Sequence, residues 1–356
     1  MSKALRRAVA AVLLAGVALS DAGAVRPLQP PAPPFPEPAA WVNSVPFTLR
    51  DFRGRKVVLV TFINAFSVNS IRTFGQLMRW WDLYALEGLM IVGIHTPDFD
   101  FDRDPLQVRH AVRRFGLPFP VLIDSRRLAW KAYENNAWPS HYLIDHRGNI
   151  IHDRIGEGGY NEFEKEILGA LDRLNGYHPP EDYLVPKDAE KTDCGMLTPP
   201  FFLGSRRGKS VIRSKSKILL DLAESRSGEA SVIGEWRTEP EALRYDGDAT
   251  GMRDHFQLIY AGAEVMATVS RFGRDPVKLF VKQDNLWMHS GNANSDIKWD
   301  DEDRSYVLVD EPRLYFLAKD KKKDRLRELQ LIPERTGIGF SSFEFSDHCE
   351  SEYLHH

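Results

Sequence analysis

Cysteine is nearly missing from this chain: its 356 residues contain two, Cys194 and Cys349. That count excludes a disulfide-stapled scaffold and any cysteine-rich metal site, and it permits one intramolecular bridge at most. Charge of one sign is missing as well, since 47 Lys and Arg face 50 Asp and Glu for a net charge of −3. No global field therefore draws the chain to nucleic acid or to anionic lipid. Phosphate loops, nicotinamide fingerprints and Gly-x-Ser-x-Gly elbows are also lacking, so no cofactor is expected. What is present is ordinary: 43% hydrophobic and 27% charged residues, enough chain for two globular domains.

Near the start, the apolar run Ala8 to Leu19 has twelve residues, short of the roughly 20 that span a bilayer. Lys3, Arg6 and Arg7 precede it, and Ala22-Gly23-Ala24 follows with small residues at alternate positions. That order predicts a secretory signal over residues 1–24, cleaved after Ala24, with no membrane span thereafter. The expected destination is periplasmic or extracellular, where a lone cysteine pair persists as a disulfide. Residues 25–40 are Pro-rich and read as an extended, semi-rigid tether.

From 41 to 176 the pattern is α/β. Val57 to Ile63 is a β-branched run suited to a strand buried on both faces, and Leu89 to His95 is almost wholly apolar. Between them Ile71, Phe74, Met78, Trp81 and Ala85 recur at threes and fours, predicting a helix from Val68 to Leu86 that Gly88 ends. Pro105 opens a second helix to Phe115, Val121 to Asp124 is a third strand, and a short helix spans Leu128 to Glu134. Tyr142 to Ile144 and Ile150 to His152 flank a turn at Asp145-His146-Arg147-Gly148. A last helix runs from Asn161 to Leu174, with Asn161 and Glu164 in capping-box spacing.

A connector over 177–210 breaks this rhythm, and residues 211–349 show short alternating runs: Ile218 to Leu220, Phe256 to Tyr260, Val277 to Val281, Tyr306 to Val309, Leu314 to Leu317, Leu329 to Ile332 and Phe343 to Phe345. Period-two runs parted by Gly, Asp, Asn and Pro predict an antiparallel, jelly-roll-like β-sandwich, with 350–356 as a tail. Lys319 to Asp324 reads as a solvated hairpin tip, and His355 and His356 lack zinc-ligand companions. Cys194 and Cys349 bracket the sandwich. Closing 349 minus 194, or 155 residues, would stabilise by roughly 5 kcal/mol in the chain-entropy account.

Phe62 to Ile71, Gly93-Ile94-His95-Thr96-Pro97, Pro120 to Asp124, Trp138 to Asp145 and Gly156-Glu157-Gly158 together resemble, in order, the thioredoxin-like domain of the DipZ type, related to TlpA-like redoxins. The second domain, entered through Thr198 to Gly204, is similar to the β-sandwich that accompanies it. The resemblance implies thiol-disulfide exchange by two cysteines, two residues apart, at the start of the first helix, where the helix N-terminus favours a thiolate. Here those positions read Ser67-Val68-Asn69-Ser70, and both sulfurs are absent. It also implies a cis proline at Pro139 and a peptide groove along Trp138, Pro139 and Ser140. The expectation is a redox-inactive scaffold that binds a protein or peptide partner; the alternative is an oxidoreductase of this type whose cysteines have been substituted.

Other constellations carry less. Ser67 as a nucleophile with His95 or His141 as base lacks an identifiable third member, whereas serine suits an N-cap. Asp98, Asp100, Asp102 and Asp104 alternate, but Arg103 and Arg109 occupy the places where a calcium loop needs glycine and glutamate, so a solvated loop is expected and no metal. Trp81 is assigned to core. In the sandwich, Trp287, Trp299 and Tyr306 are candidates for a carbohydrate-stacking surface.

Overall fold

In a computed structural model of the chain, residues 30–186, 197–208, 211–214, 227–248, 250–320 and 325–346 are described. The first domain contains β1 (Ala40–Val42), β2 (Val57–Ile63), α1 (Val68–Tyr84), β3 (Leu89–His95), α2 (Pro105–Arg114), β4 (Val121–Ile123), α3 (Leu128–Ala132), β5 (Ser140–Ile144), β6 (Ile150–Ile155) and α4 (Tyr160–Asn175). The sheet order is β1-β4-β3-β2-β5-β6, parallel from β2 to β3 to β4 and antiparallel at the other pairings. This is the expected thioredoxin-like α/β unit. Every residue of β2 is buried. Val57, Leu59 and Ile63 pack with α1, α2 and α4, while Val58, Val60 and Phe62 pack with Ala129, Tyr133 and the segment around Phe35 and Trp41.

Several local expectations change. The tether is docked where it is described: Pro30 and Gly148 carbonyls accept from Ile150 and Ala32, and Phe35 is buried edge-on to Trp41 at 5.6 Å. Its prolines hide an aromatic anchor and lead into β1. Glu164 forms no capping box, since Gly159 holds the N-cap of α4. Instead Glu164 is buried and accepts from Arg79 at 2.8 Å, from Tyr84 at 2.5 Å and from Tyr183 of the connector. Burial pushes this carboxyl up, but those bonds outweigh burial and hold it below the usual range. Trp81 does pack, partly buried, against the core as expected, beside the fully buried Trp80, which stacks on Phe163 at 5.6 Å.

The second domain contains β7 (Phe201–Phe202), β8 (Ile212–Ser214), β9 (Ala230–Ile233), β10 (Trp236–Thr238), β11 (Leu243–Tyr245), β12 (His255–Tyr260), β13 (Glu264–Arg271), β14 (Val277–Gln283), β15 (Leu286–Trp287), β16 (Lys298–Trp299), β17 (Ser305–Val309), β18 (Arg313–Lys319), β19 (Arg327–Pro333) and β20 (Ile338–Ser346). One sheet runs β10-β11-β20-β13-β18 with β7 beside β20, and the other β16-β17-β14-β19-β12-β9-β8 with β15 beside β14. A single apolar core fills the space between them. The second domain is thus an all-β sandwich, as the alternating runs imply. It begins earlier than expected, because β7 comes from the connector. The run at Ile218 lies outside the described residues, as do the signal segment, Lys321 to Asp324 and both cysteines.

The incoming and outgoing strands of the sandwich meet. β7 pairs with β20, and Thr198 N–H and Ser346 carbonyl bond to Ala261 carbonyl and Ala263 N–H, both at 2.8 Å. Cys194 precedes Thr198 by four residues and Cys349 follows Ser346 by three. The Cys194–Cys349 bridge expected from the sequence lies outside the described residues; non-reducing peptide mapping should recover the linked peptide, and two free thiols would contradict it. Separately, Glu164→Ala strips a charged acceptor from Arg79, Tyr84 and Tyr183 and should cost about 3 kcal/mol in denaturant unfolding.

Candidate functional site

The register of the first sheet brings three loops together at one end. Thr61 and Phe62 stand opposite His141 and Ser140, so Pro139 falls abreast of Ile63, which also faces His95. The chain leaves β2 through Asn64 and turns into α1 at Ser67. Asn64 is buried and builds this turn: its Oδ1 accepts from Phe66 N–H at 2.7 Å, and its Nδ2 donates to Thr96 carbonyl at 3.0 Å and Asp102 Oδ2 at 2.9 Å. Ser70 is fully buried, its Oγ accepting from Asn64 N–H at 3.0 Å. The second serine is therefore part of the turn and is closed to a partner.

Ser67 occupies the N-cap, as its type suggests, yet its side chain makes no capping bond. The free N–H of Val68 instead donates to Glu344 Oε2 at 3.0 Å, a carboxylate 276 residues along the chain on β20. Burial pushes the Glu344 carboxyl up to about 7; the Val68 N–H opposes this, Asp98 adds to it and Arg72 opposes it. Met266, Leu314 and Phe316 from the same sandwich sheet join the apolar cluster of α1. The β-domain thus sits on the first turn of α1.

Ion pairs ring this contact. Arg72 of α1 lies 3.8 Å from Glu264 and 3.5 Å from Glu157. The aspartate-rich loop is no freely solvated turn: Asp98 pairs with Arg207 at 2.8 Å, Asp100 with Arg206 at 3.0 Å, and Arg207 lies over the Phe202 ring at 3.8 Å. Asp104 caps α2 by accepting from Leu106 N–H at 2.9 Å. Asp102 is buried and accepts from Asp98 and Phe99 N–H at 2.9 and 3.2 Å; burial lifts its carboxyl to about 7. Each aspartate already has protein partners, and among the described residues no His, Cys, Asp and Glu group could hold a metal ion.

The Trp138–Pro139 bond is cis, as the resemblance implies. Pro139 carbonyl accepts from Gly156 N–H at 2.8 Å, and Ser140 Oγ donates to Ala137 carbonyl at 2.8 Å, fixing the loop. Trp138 is half-buried, 4.5 Å from Trp130, with the Arg127 guanidinium 5.2 Å from its ring. Burial weakens His95 and His141 as bases for Ser67. Burial drives His95 down to about 3, and both its ring nitrogens lack partners. Burial and then Arg154 bring His141 down to about 4, with its Nδ1 committed to Thr61 at 2.9 Å. In the sandwich, Trp287 and Tyr306 flank Phe280, each 6.1 Å from it, whereas Trp299 pairs opposite Ser305 and so lies on the other face of the sheet. The three aromatics do not form one surface.

Glu344, Asn64, Asp102 and Arg72 carry no signal that sequence reasoning detects. Phe343-Glu344-Phe345 reads as a strand with one wet position, and only the partner domain shows otherwise.

The titrating groups give a pH test. Asp102 and Glu344 bind protons more tightly folded than unfolded, so their contribution grows as pH falls from 7 toward 4. His95 and His141 resist protonation when folded, so their contribution shrinks as pH falls below about 6.5. Asp102→Asn removes one rising contribution, and its urea midpoint should fall more steeply between pH 7.5 and pH 5 than that of the parent; parallel slopes would contradict the assignment.

Residues 29–153 match the AhpC/TSA family. The chain is 27% identical over 256 residues to Protein DipZ of Mycobacterium bovis, a match covering 68% of this chain and 36% of that protein. It is 26% identical over 144 residues to thiol-disulfide oxidoreductase YkuV of Bacillus subtilis, covering 40% of this chain and 96% of that protein. NHL repeat-containing protein 2 of Bos taurus is 33% identical over 129 residues, 35% of this chain and 18% of that protein. The match thus spans about a third of the length of DipZ.

Proposed function

Starting from a first domain that is a thioredoxin-like redoxin related to DipZ and to thiol-disulfide oxidoreductases, we propose that the protein uses this scaffold to bind an exported protein or peptide partner and does not itself exchange disulfides. The observation that carries the reading is the helix start: serine stands at both reactive positions, Ser70 is locked beneath the turn, and Glu344 holds the first free N–H. A serine hydroxyl cannot form or resolve a mixed disulfide, and burial weakens both His95 and His141 as bases that could activate it. The retained element is the loop at Trp138-Pro139-Ser140, whose half-buried tryptophan and fixed backbone offer an edge for an extended segment.

Export is part of the proposal and rests on Lys3, Arg6, Arg7, the Ala8 to Leu19 run and Ala22-Gly23-Ala24. Among the described residues no helix is long and apolar enough to cross a membrane. The second reading, an oxidoreductase whose cysteines have been substituted, is favoured by the intact cis proline and helix start. One assay separates the two. The protein should show no insulin-disulfide reduction, and Trp138→Ala should weaken binding of a captured partner; turnover that survives mutation of Cys194 and Cys349 would refute the binding role. Efficient turnover by the Ser67→Cys, Ser70→Cys double variant would favour the second reading.

A further inference from the structure

Strand alternation decides which side chains of the β-domain meet the redoxin domain. On β13 and β20, Val265, Ala267, Phe343 and Phe345 point into the sandwich core. Their neighbours Met266, Thr268, Ser342 and Glu344 therefore point out, and Met266 stands opposite Glu344, Thr268 opposite Ser342. Met266, with Leu314 and Phe316, joins the α1 cluster. Glu344 is thus a carboxylate placed beside an apolar seam, where desolvation works against its charge. A neutral residue of similar shape would pack there more cheaply. What Glu344 gains in return is the Val68 N–H at 3.0 Å, at the positive end of a 17-residue helix.

That N–H opens the helix whose positive end an anion at position 67 would also draw on. Ser67 does not compete for it, because its side chain makes no capping bond, and Ser70 is turned inward onto Asn64. The other charges facing Glu344 are Asp98 and Arg72, and each is engaged: Asp98 by Arg207, Arg72 by Glu157 and Glu264. We propose that the Glu344 carboxyl is a built-in occupant of the redoxin reaction site, so that the docked β-domain disfavours a second anion at the start of α1, a thiolate included. This rests on and deepens the reading of a scaffold without disulfide exchange: position 67 is silenced by the second domain as well as by its own side chain. A partner with an anionic group meets a filled site while the domains are docked, and reaches the N-terminus only when β20 moves off α1.

The test uses the full chain with Ser67→Cys. Alkylation of the introduced thiol by iodoacetamide is followed from pH 5 to pH 10 on the peptide that carries position 67, with Cys194 and Cys349 resolved in the same mass map. With Glu344 present, the introduced thiol is expected to titrate at or above the ordinary cysteine value of roughly 8.5, and adding Glu344→Gln should raise its alkylation rate at pH 7 by about tenfold. A thiol already depressed below the ordinary value beside Glu344, or the same profile with and without it, overturns the proposal. Should Glu344→Gln fail to fold, the midpoint of Ser67→Cys alone still decides, and Glu344→Asp must give a profile distinct from the parent. Insulin reduction by the unmodified protein would defeat the binding role while leaving this electrostatic result standing, so the two failures are distinguishable.

Discussion

The hydrogen bond between Val68 N–H and Glu344 ties the two halves of the chain at the point where a redoxin would do its chemistry. Much else follows from accommodating it. The sheet bearing Glu344 must be buried on both faces, one toward the sandwich core and one toward α1, and β13 is buried along all but its last residue for that reason. The loop after β3 must present Asp98 and Asp100 to Arg207 and Arg206, and Asp102 must stay inside to hold that loop on Asn64. Individually such partly exposed ion pairs contribute little; around an apolar seam they fix the orientation of the docked domain.

The redoxin scaffold and its reactive chemistry are separable here. The sheet order, the start of α1 and the cis bond at Pro139 are what an oxidoreductase of this type needs to place a thiolate, yet the atoms to be placed are hydroxyls. Scaffold and chemistry place different demands on a sequence. Burial of β2 and the Asn64 turn hold the fold together whether position 67 carries sulfur or oxygen, whereas disulfide exchange depends on the sulfur alone.

Legibility in the sequence tracks this division. β2, β3 and β14 are readable because apolar runs report burial locally, and the boundaries at Val57, Ile63, Leu89, His95 and Val277 match the structure. Ser67 and Ser70 are readable because a resemblance marks positions. β13 is not, because Glu264 to Arg271 shows no clean alternation: its outward residues are buried by the other domain. Glu164, Asp102 and Glu344 mislead or stay silent for the same physical cause. A carboxylate in a helix, strand or loop looks solvated until a distant segment covers it, and each of these finds partners at least one element away.

Whether the docked β-domain occupies the N-terminus of α1 through Glu344 is read most directly by native-state hydrogen exchange of the Val68 amide. Strong protection of this amide is expected in the full chain, and its loss on Glu344→Ala, with protection of β2 amides unchanged. Rapid exchange at Val68 in the unmodified protein, or equal protection in the variant, would contradict that occupancy.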